Sequence, residues 1–457
     1  MSFISKSACL TLALCLVAGV AHADTQVEPQ TAKKMLNTQS QQFEQQVVKV
    51  ADNVFTAVGF HGANTSMIVG TDGVIIVDTL MGPTSAGKAM EAFREYSDKP
   101  VKAIVYTHSH GDHTGGTSAF IGRNRPDVYA AENFGSAEGV NEDLRPIAGK
   151  RGARQFGRSL SDEEKTNRGV APANTYDRDR GEGFIPPNRL IPQDGLKTTI
   201  AGVEIEFHRG PGETDDAIYL WLPREKVLFS GDNFYQAFPN LYAIRGTGYR
   251  NVMKWSDSVG EMAKLKPHAL VPGHTTPILG EEKSVEMLSN YSEAIRSVYE
   301  QTIAGINAGK GPDLLAHEVE LPKHLQDKPY LTEFYGSVPH AVRAIYSGLL
   351  GWYDGNPSTL SPLEPKLKAT KMAELAGGTA QLTEKMEAAL AAKDYQWALE
   401  LSDHVKWLED ADRKRARQVK IEALRGLAAR EYNAPNRNYY SSYANELESG
   451  QLSEVWF

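Results

Sequence analysis

The chain has 457 residues, enough to bury a large core and to form two or three domains. With 41% hydrophobic and 23% charged residues it reads as globular, and a formal charge of -8 excludes a general binder of nucleic acid or anionic membranes. Both cysteines, Cys9 and Cys15, fall in the first 23 residues; once that segment is removed no disulfide is possible, and any metal must be held by His, Asp and Glu.

Residues 1–23 place Lys6 ahead of an apolar run from Ala8 to Val20 and end in Ala21-His22-Ala23, the pattern of a secretory signal cleaved after Ala23. The run is short for a transmembrane helix and no later stretch is long and apolar enough to span a bilayer. A periplasmic or secreted protein without a membrane span is therefore expected. Residues 24–45 are polar, Gln-rich and aperiodic, which predicts a mobile leader.

Strand patterns follow at 47–50, 54–58 and 66–69, and the turn Asp72-Gly73 joins the last of these to 74–78 as a hairpin. A helix is expected over 86–96 and a buried strand over 101–106. That strand runs into Thr107-His108-Ser109-His110-Gly111-Asp112-His113-Thr114-Gly115-Gly116, three histidines and a carboxylate within six positions. A strand end that turns through Gly111 can bring several ligands around one point, which suits a metal better than a core. Residues 133–193 form an Arg-, Asp-, Asn- and Gly-rich insertion (Arg145, Lys150, Arg151, Arg154, Arg158, Arg178, Arg180 and Arg189), expected to cover the metal cleft and to take part in anion recognition.

Strands resume at 198–207, 217–222, 227–229 and 269–271, and turns beside them carry Glu213, Asp232 and His274. Turns at strand ends are where α/β folds keep their chemistry. From residue 281 strand signals cease: 282–308, 330–350, 369–376, 379–392, 395–408 and 412–431 read as helices, one pair resembling a single tetratricopeptide-type hairpin. The expected division is a catalytic domain over 46–285, with the insertion 133–193, and a separate helical domain over 286–457.

His108, His110, Asp112, His113, Glu213, Asp232 and His274 are seven oxygen and imidazole ligands without a thiol. They fit zinc or a similar divalent ion and are too many for one tetrahedral centre. Two metals about 3.5–4 Å apart sharing a carboxylate would use all seven, and a metal-activated hydroxide would attack an electrophile.

The motif T-H-x-H-x-D-H-x-G-G with a later acid and Pro272-Gly273-His274 resembles the metallo-β-lactamase superfamily, and further motifs resemble its alkylsulfatase branch. Glu213 follows Gly212 where most of the superfamily has a histidine, as in alkylsulfatases. The stretch Asn240-Leu241-Tyr242-Ala243-Ile244-Arg245-Gly246 is similar to their sulfate-binding H-N-x-x-x-x-R-G, with Pro239 in place of the histidine. Phe334-Tyr335-Gly336-Ser337, His340-Ala341-Val342-Arg343-Ala344 and the segment 350–357 resemble their helical dimerisation domain.

The resemblance implies a four-layer αββα metallo-β-lactamase fold followed by an all-α domain, and two zinc ions per subunit. His108, His110 and Glu213 would hold one and Asp112, His113 and His274 the other. Asp232, where relatives usually show glutamate, would bridge them. Asp112, Glu213 and Asp232 would be the catalytic acids, and Asn240 and Arg245 would bind the sulfate of a small-molecule ester in a homodimer. Asp78 is expected behind the ligands, and His61, His208, His268 and His340 as ordinary polar positions. Members of the branch continue into a third, sterol-carrier-like domain, whereas this sequence stops at Phe457. Only Asn141 and the Lys150-Arg151 region of the insertion match the branch, and faintly. The implied reaction is hydrolysis of an alkyl sulfate to alcohol and inorganic sulfate, the alternative being a phosphoester, lactone or β-lactam.

Overall fold

The computed structural model describes residues 26–122, 125–135, 142–173 and 177–452; the expected export signal at 1–23 and Asn141 lie outside them. Helix α1 (Pro29–Ser40) corrects the expectation of a mobile leader at 24–45. Its sequence is weakly patterned, yet Ala32, Leu36 and Gln39 are buried. Leu36 joins Val170, Tyr235, Phe334 and Tyr335 in one apolar cluster. The backbone N–H of Val27 donates to Arg430 O at 2.9 Å, so the segment before α1 is held by the C-terminal helical region. Tertiary burial, not local propensity, makes this helix.

Seven strands form the first sheet in sequence order: β1 (Gln46–Ala51), β2 (Val54–Val58), β3 (Thr65–Val69), β4 (Val74–Val77), β5 (Val101–Val105), β6 (Asp127–Ala131) and β7 (Arg189–Ile191). β1 to β4 are antiparallel, and β4 to β7 are parallel. β2 and β4 are buried at every position, as continuous apolar runs covered on both faces should be. Helix α2 (Pro83–Phe93) lays Ala86, Ala89 and Phe93 on the outer face of this sheet, starting three residues earlier than expected because Pro83 occupies its first turn. After β5 comes the single turn α3 (Gly111–Thr114), and α4 (Arg145–Gln155) is the helix of the insertion.

The second sheet holds β8 (Leu196–Ile200), β9 (Val203–Arg209), β10 (Ile218–Leu222), β11 (Val227–Gly231), β12 (Ala269–Pro272) and β13 (Ile278–Leu279), again in sequence order. β9 alternates, with Val203, Ile205 and Phe207 inward, whereas β10 and β11 are buried throughout. Between the sheets Ile68, Ile75, Val77 and Val105 share one cluster with Ile205, Phe207, Leu220, Phe229 and Val271. On the far side α5 (Val252–Lys264) and α6 (Glu281–Asn307) cover the second sheet with Trp255, Val259, Leu288, Tyr291 and Ile295. The result is the expected αββα sandwich.

The division expected after residue 285 falls inside α6, which belongs to the sandwich. The helices α7 (Pro312–Glu318), α8 (Lys323–Gln326) and α9 (Val338–Leu350) extend the same core. α9 begins at Ser337, whose hydroxyl caps it, and not at 330 as expected. After α10 (Pro357–Leu360), which buries no side chain, a second apolar core is built by α11 (Pro365–Ala376), α12 (Thr379–Ala391), α13 (Tyr395–Val405), α14 (Arg413–Arg430) and α15 (Ala434–Glu448), and its buried side chains run from Ala369 to Leu452. α15 escaped the sequence reading because its buried face carries Arg437, Asn438 and Ser442.

Leu36→Ala should remove a buried contact without touching the sandwich, costing about 2–5 kcal/mol of stability in urea denaturation; an unchanged midpoint would mean that α1 is not held there.

Candidate metal centre

β5 delivers the first ligands. Its last turn passes Thr107 to His108 and His110, and α3 presents Asp112 and His113. The glycines that follow are required by close packing: a Cβ on Gly115 would strike Met81 O, and one on Gly116 would strike Thr79 O. From the second sheet, Glu213 comes from the β9–β10 loop, Asp232 from the turn after β11 and His274 from the turn after β12. Gly273 cannot carry a side chain, since its Cβ would collide with the Asp232 carboxylate.

These residues converge in two groups, His108 with His110 and Asp232, and Asp112 with His113 and His274. His108 Nε2 and His110 Nδ1 lie 2.9 Å apart. Asp232 Oδ2 lies 3.7 Å from His108 Nε2, 3.4 Å from His113 Nε2 and 3.2 Å from His274 Nε2, so one carboxylate faces both groups. Asp112 Oδ2 is 3.6 Å from His274 Nε2. Glu213 is in neither group. It lines the same cavity, and its Oε1 accepts from Arg250 Nη1 at 3.0 Å.

A second layer aims the rings. Asp78 Oδ2 faces His113 Nδ1 at 2.8 Å and accepts from the Thr107 hydroxyl at 2.8 Å, as expected of a residue behind the ligands. Because Thr107 gives its proton to Asp78, its oxygen accepts from His108 Nδ1 at 3.1 Å. His274 Nδ1 donates to Gly62 O at 2.7 Å. The rings of His108, His113 and His274 therefore spend their Nδ1 protons outward and turn Nε2 lone pairs inward, as metal-ligating histidines do. The buried Nε2 of His113 and Oδ1 of Asp232 have no hydrogen-bond partner among the described residues. Orphaned inward-facing nitrogen and oxygen atoms in a thiol-free set fit a divalent cation such as zinc.

The electrostatics agree. Burial pushes His274 toward neutrality, but Asp232 and Asp112 outweigh it and lift the ring to about 9. Burial, then the neighbouring His113, holds His108 well below its ordinary value. Burial would raise Asp232, yet His113 and His274 hold it well below the usual carboxylate range. The acids of the site stay ionised and attract positive charge.

A cavity of about 330 Å³ opens over these groups. Its walls include Arg245 and, from the insertion, Gly149, Phe156, Arg158, Arg168 and Arg180, so 133–193 does cover the cleft. Arg151 Nη2 donates to Ile244 O at 2.7 Å, and Arg245 N–H donates to Gln155 Oε1 at 2.8 Å, tying α4 to the 240–246 stretch. Asn240 is buried and does not line this cavity; its N–H bonds Tyr235 at 2.7 Å and its carbonyl accepts from Arg250 at 2.7 Å.

Residues 58–274 match the family model for the metallo-beta-lactamase superfamily and 312–450 the one for alkyl sulfatase dimerisation. A linear primary-alkylsulfatase of Pseudomonas sp. (strain ATCC 19151) is 37% identical over 399 residues, 85% of this chain and 75% of its own. The chain belongs to the alkylsulfatase branch of the metallo-β-lactamase superfamily. An (R)-specific secondary-alkylsulfatase of Pseudomonas sp. is 30% identical, over 88% of this chain and 62% of its own length, so the chain spans less than two thirds of that relative. The solved structure of the stereoselective inverting sec-alkylsulfatase Pisa1 from Pseudomonas sp. superposes with a TM-score of 0.81 at 28% identity, over 92% of this chain and 70% of its own.

Several site residues of this alkylsulfatase-branch chain were not singled out from the sequence. Asn64 donates to Pro272 O at 3.0 Å and Thr275 O at 2.7 Å, pinning the turn that carries His274. Asn233 Oδ1 accepts from Glu213 N–H at 3.2 Å. Arg250 fixes Glu213 from 37 positions downstream, and no local pattern marks it. His61, expected as an ordinary polar position, lines the cavity.

Asp78→Asn leaves the ring of His113 without its anionic acceptor. Zinc affinity, measured by competition with a chromogenic chelator, should fall about 10–100-fold; unaltered affinity would show that Asp78 does not orient a ligand.

Proposed function

We propose that the chain is an exported, binuclear zinc-dependent hydrolase that cleaves alkyl sulfate esters to alcohol and inorganic sulfate. The observation that carries the reading is the Asp232 carboxylate facing both histidine groups beneath a cavity with Arg245 on its wall, in a chain of the alkylsulfatase branch. His108, His110 and Glu213 would hold one zinc and Asp112, His113 and His274 the other, with Asp232 between them. When bound, the metals supply Lewis-acid charge to the ester's sulfate oxygens and acidify a water.

The rest is the work of side chains. Arg245 presents a planar guanidinium fork that can grip two sulfate oxygens, and its backbone is held by Gln155. Asn240 anchors the same stretch from below, its carbonyl on Arg250 and its N–H on Tyr235, and so acts on Arg245 through the backbone they share. Asp78 and the Gly62 carbonyl keep His113 and His274 aimed at the reacting centre, where Asp112 and Asp232 face their Nε2 atoms. Glu213, clamped by Arg250, completes the acidic wall. Net, water adds across the ester: the alcohol oxygen takes a proton and sulfate leaves as the second product.

The helical region supplies the second part of the reading, a homodimer. Leu349, Leu350, Trp352, Leu360, Leu363, Leu367 and Leu375 are all exposed along α9 to α11, an apolar run that a partner subunit would cover. Among the described residues no helix is long and apolar enough to cross a membrane. Residues 1–23 carry the reading of export.

Purified protein incubated with dodecyl sulfate should release sulfate, lose activity with a chelator and regain it with zinc. Arg245→Gln should lower kcat/KM about 10–100-fold, the worth of a charge-assisted contact. No release over a range of chain lengths, or preferential turnover of a phosphodiester, lactone or β-lactam, would sink the reading. Sedimentation equilibrium at micromolar concentration should give twice the chain mass; a monomer would remove the dimer.

A further inference from the structure

The proposed reaction uses one arginine for one sulfate, but the cavity wall holds more cationic surface than that. Arg158 and Arg180 stand exposed at its rim and Arg168 is half-buried below them. The three are close enough to feel one another: burial first, then the charge of Arg158 and of Arg180, bring Arg168 down to about 10 although Asp112 acts the other way. His61 belongs to the same wall. It is 3% exposed, and neither ring nitrogen has a hydrogen-bond partner among the described residues. The nearest acid, Asp177, keeps its Oδ2 3.9 Å from His61 Nε2, beyond hydrogen-bond reach, and that oxygen accepts from Ser85 Oγ at 2.5 Å. Burial above all holds His61 neutral, so it offers one N–H donor and one acceptor to whatever enters.

A plain alkyl chain suits this wall badly. It would strip water from the exposed guanidiniums and leave the buried His61 ring nitrogens without a hydrogen bond, a net cost for each polar group covered. An anion would return several charge-assisted bonds at once. Phe156, Val170 and Ala171 also line the cavity, giving a short hydrocarbon linker somewhere to lie.

We propose that the alcohol part of the substrate carries a second anionic group, a carboxylate or a second sulfate, received by His61, Arg168, Arg158 and Arg180 while Arg245 takes the scissile sulfate. This rests on the sulfate-ester reading above and goes beyond it by naming the substrate class. A bare alkyl sulfate is then still turned over, but it is bound by one end only.

The test compares three series matched in chain length: 1-alkyl sulfates, ω-carboxyalkyl sulfates and α,ω-alkanediyl bis-sulfates, assayed for sulfate release by the zinc-loaded full chain. At the best length a dianionic ester should exceed its 1-alkyl counterpart at least about tenfold in kcat/KM, after halving for the two equivalent bis-sulfate ends, with the gain in KM. Comparing the two dianionic series tells whether carboxylate or sulfate is preferred. Arg180→Gln at the exposed rim and Arg168→Gln inside should each bring the ratio toward one, with metal content per chain confirming an intact centre. A ratio near one in both dianionic series, with 1-alkyl sulfates turned over, overturns the inference and leaves the sulfatase reading in place. No sulfate release from any series overturns both. A tenfold preference that both variants leave unchanged, or one that falls to one when salt screens long-range attraction, overturns the assignment to these residues.

Discussion

The Asp232 carboxylate fixes the geometry on which everything else depends. It is buried, and its Oδ2 lies within 3.7 Å of imidazole nitrogens from His108, His113 and His274. Around it stand Asp78, Asp112 and Glu213, a concentration of negative charge that a buried site does not tolerate without matching cations. The fold answers part of this by itself. Arg250 matches Glu213 at 3.0 Å, with both side chains under 5% exposed, and breaking such a pair costs about 3–5 kcal/mol. Asp78 is spent on Thr107 and His113. What remains is the Asp112–Asp232 pair with four imidazoles, the negative charge and ligand type that suit a divalent cation. Buried charge left over after internal pairing is thus a more specific sign of metal binding than the count of histidines.

The helices beyond residue 357 place no residue on the cavity wall, yet they shape it. Arg154 of α4 reaches Glu446 of α15 with Nε–Oε1 at 3.0 Å and Nη2–Oε2 at 2.5 Å, and it lies over the Tyr443 ring. Asn438 donates to Gln155 O at 3.2 Å, and Arg437 to Asn167 O at 2.6 Å. An insertion rich in glycine and charge has too little apolar surface to fold on its own. Here α15 supplies the missing partners and α1 closes the far side through Leu36. The polar buried face that hid α15 from periodicity is the face that does this clamping.

The site was legible in the sequence to the extent that its ligands are local. His108, His110, Asp112 and His113 sit on one turn, and their spacing alone brings them together. Glu213, Asp232 and His274 could be listed because each ends a strand, but their convergence depends on two sheets packing through Ile75, Phe207 and Leu220. Arg250, Asn64 and Asn233 were invisible for the same reason: they act on residues 20 or more positions away, through hydrogen bonds no local pattern encodes. The sandwich itself was readable from apolar runs and turns. α1 was not, since a weak helix becomes stable only when Leu36 finds its pocket.

The link between cover and centre has a mechanical consequence. α4 holds Ile244 and Arg245 through Arg151 and Gln155, while Arg250 holds Asn240 and Glu213 together. The chain from 240 to 250 is therefore fastened to the acidic wall at both ends and to the cover at its middle. Any displacement of α4 moves the backbone of Arg245 relative to Glu213, and α4 is itself fixed by Glu446 and Asn438 of α15. The distance between the guanidinium and the acids of the centre is consequently set by the C-terminal helices as much as by the strands that carry the ligands.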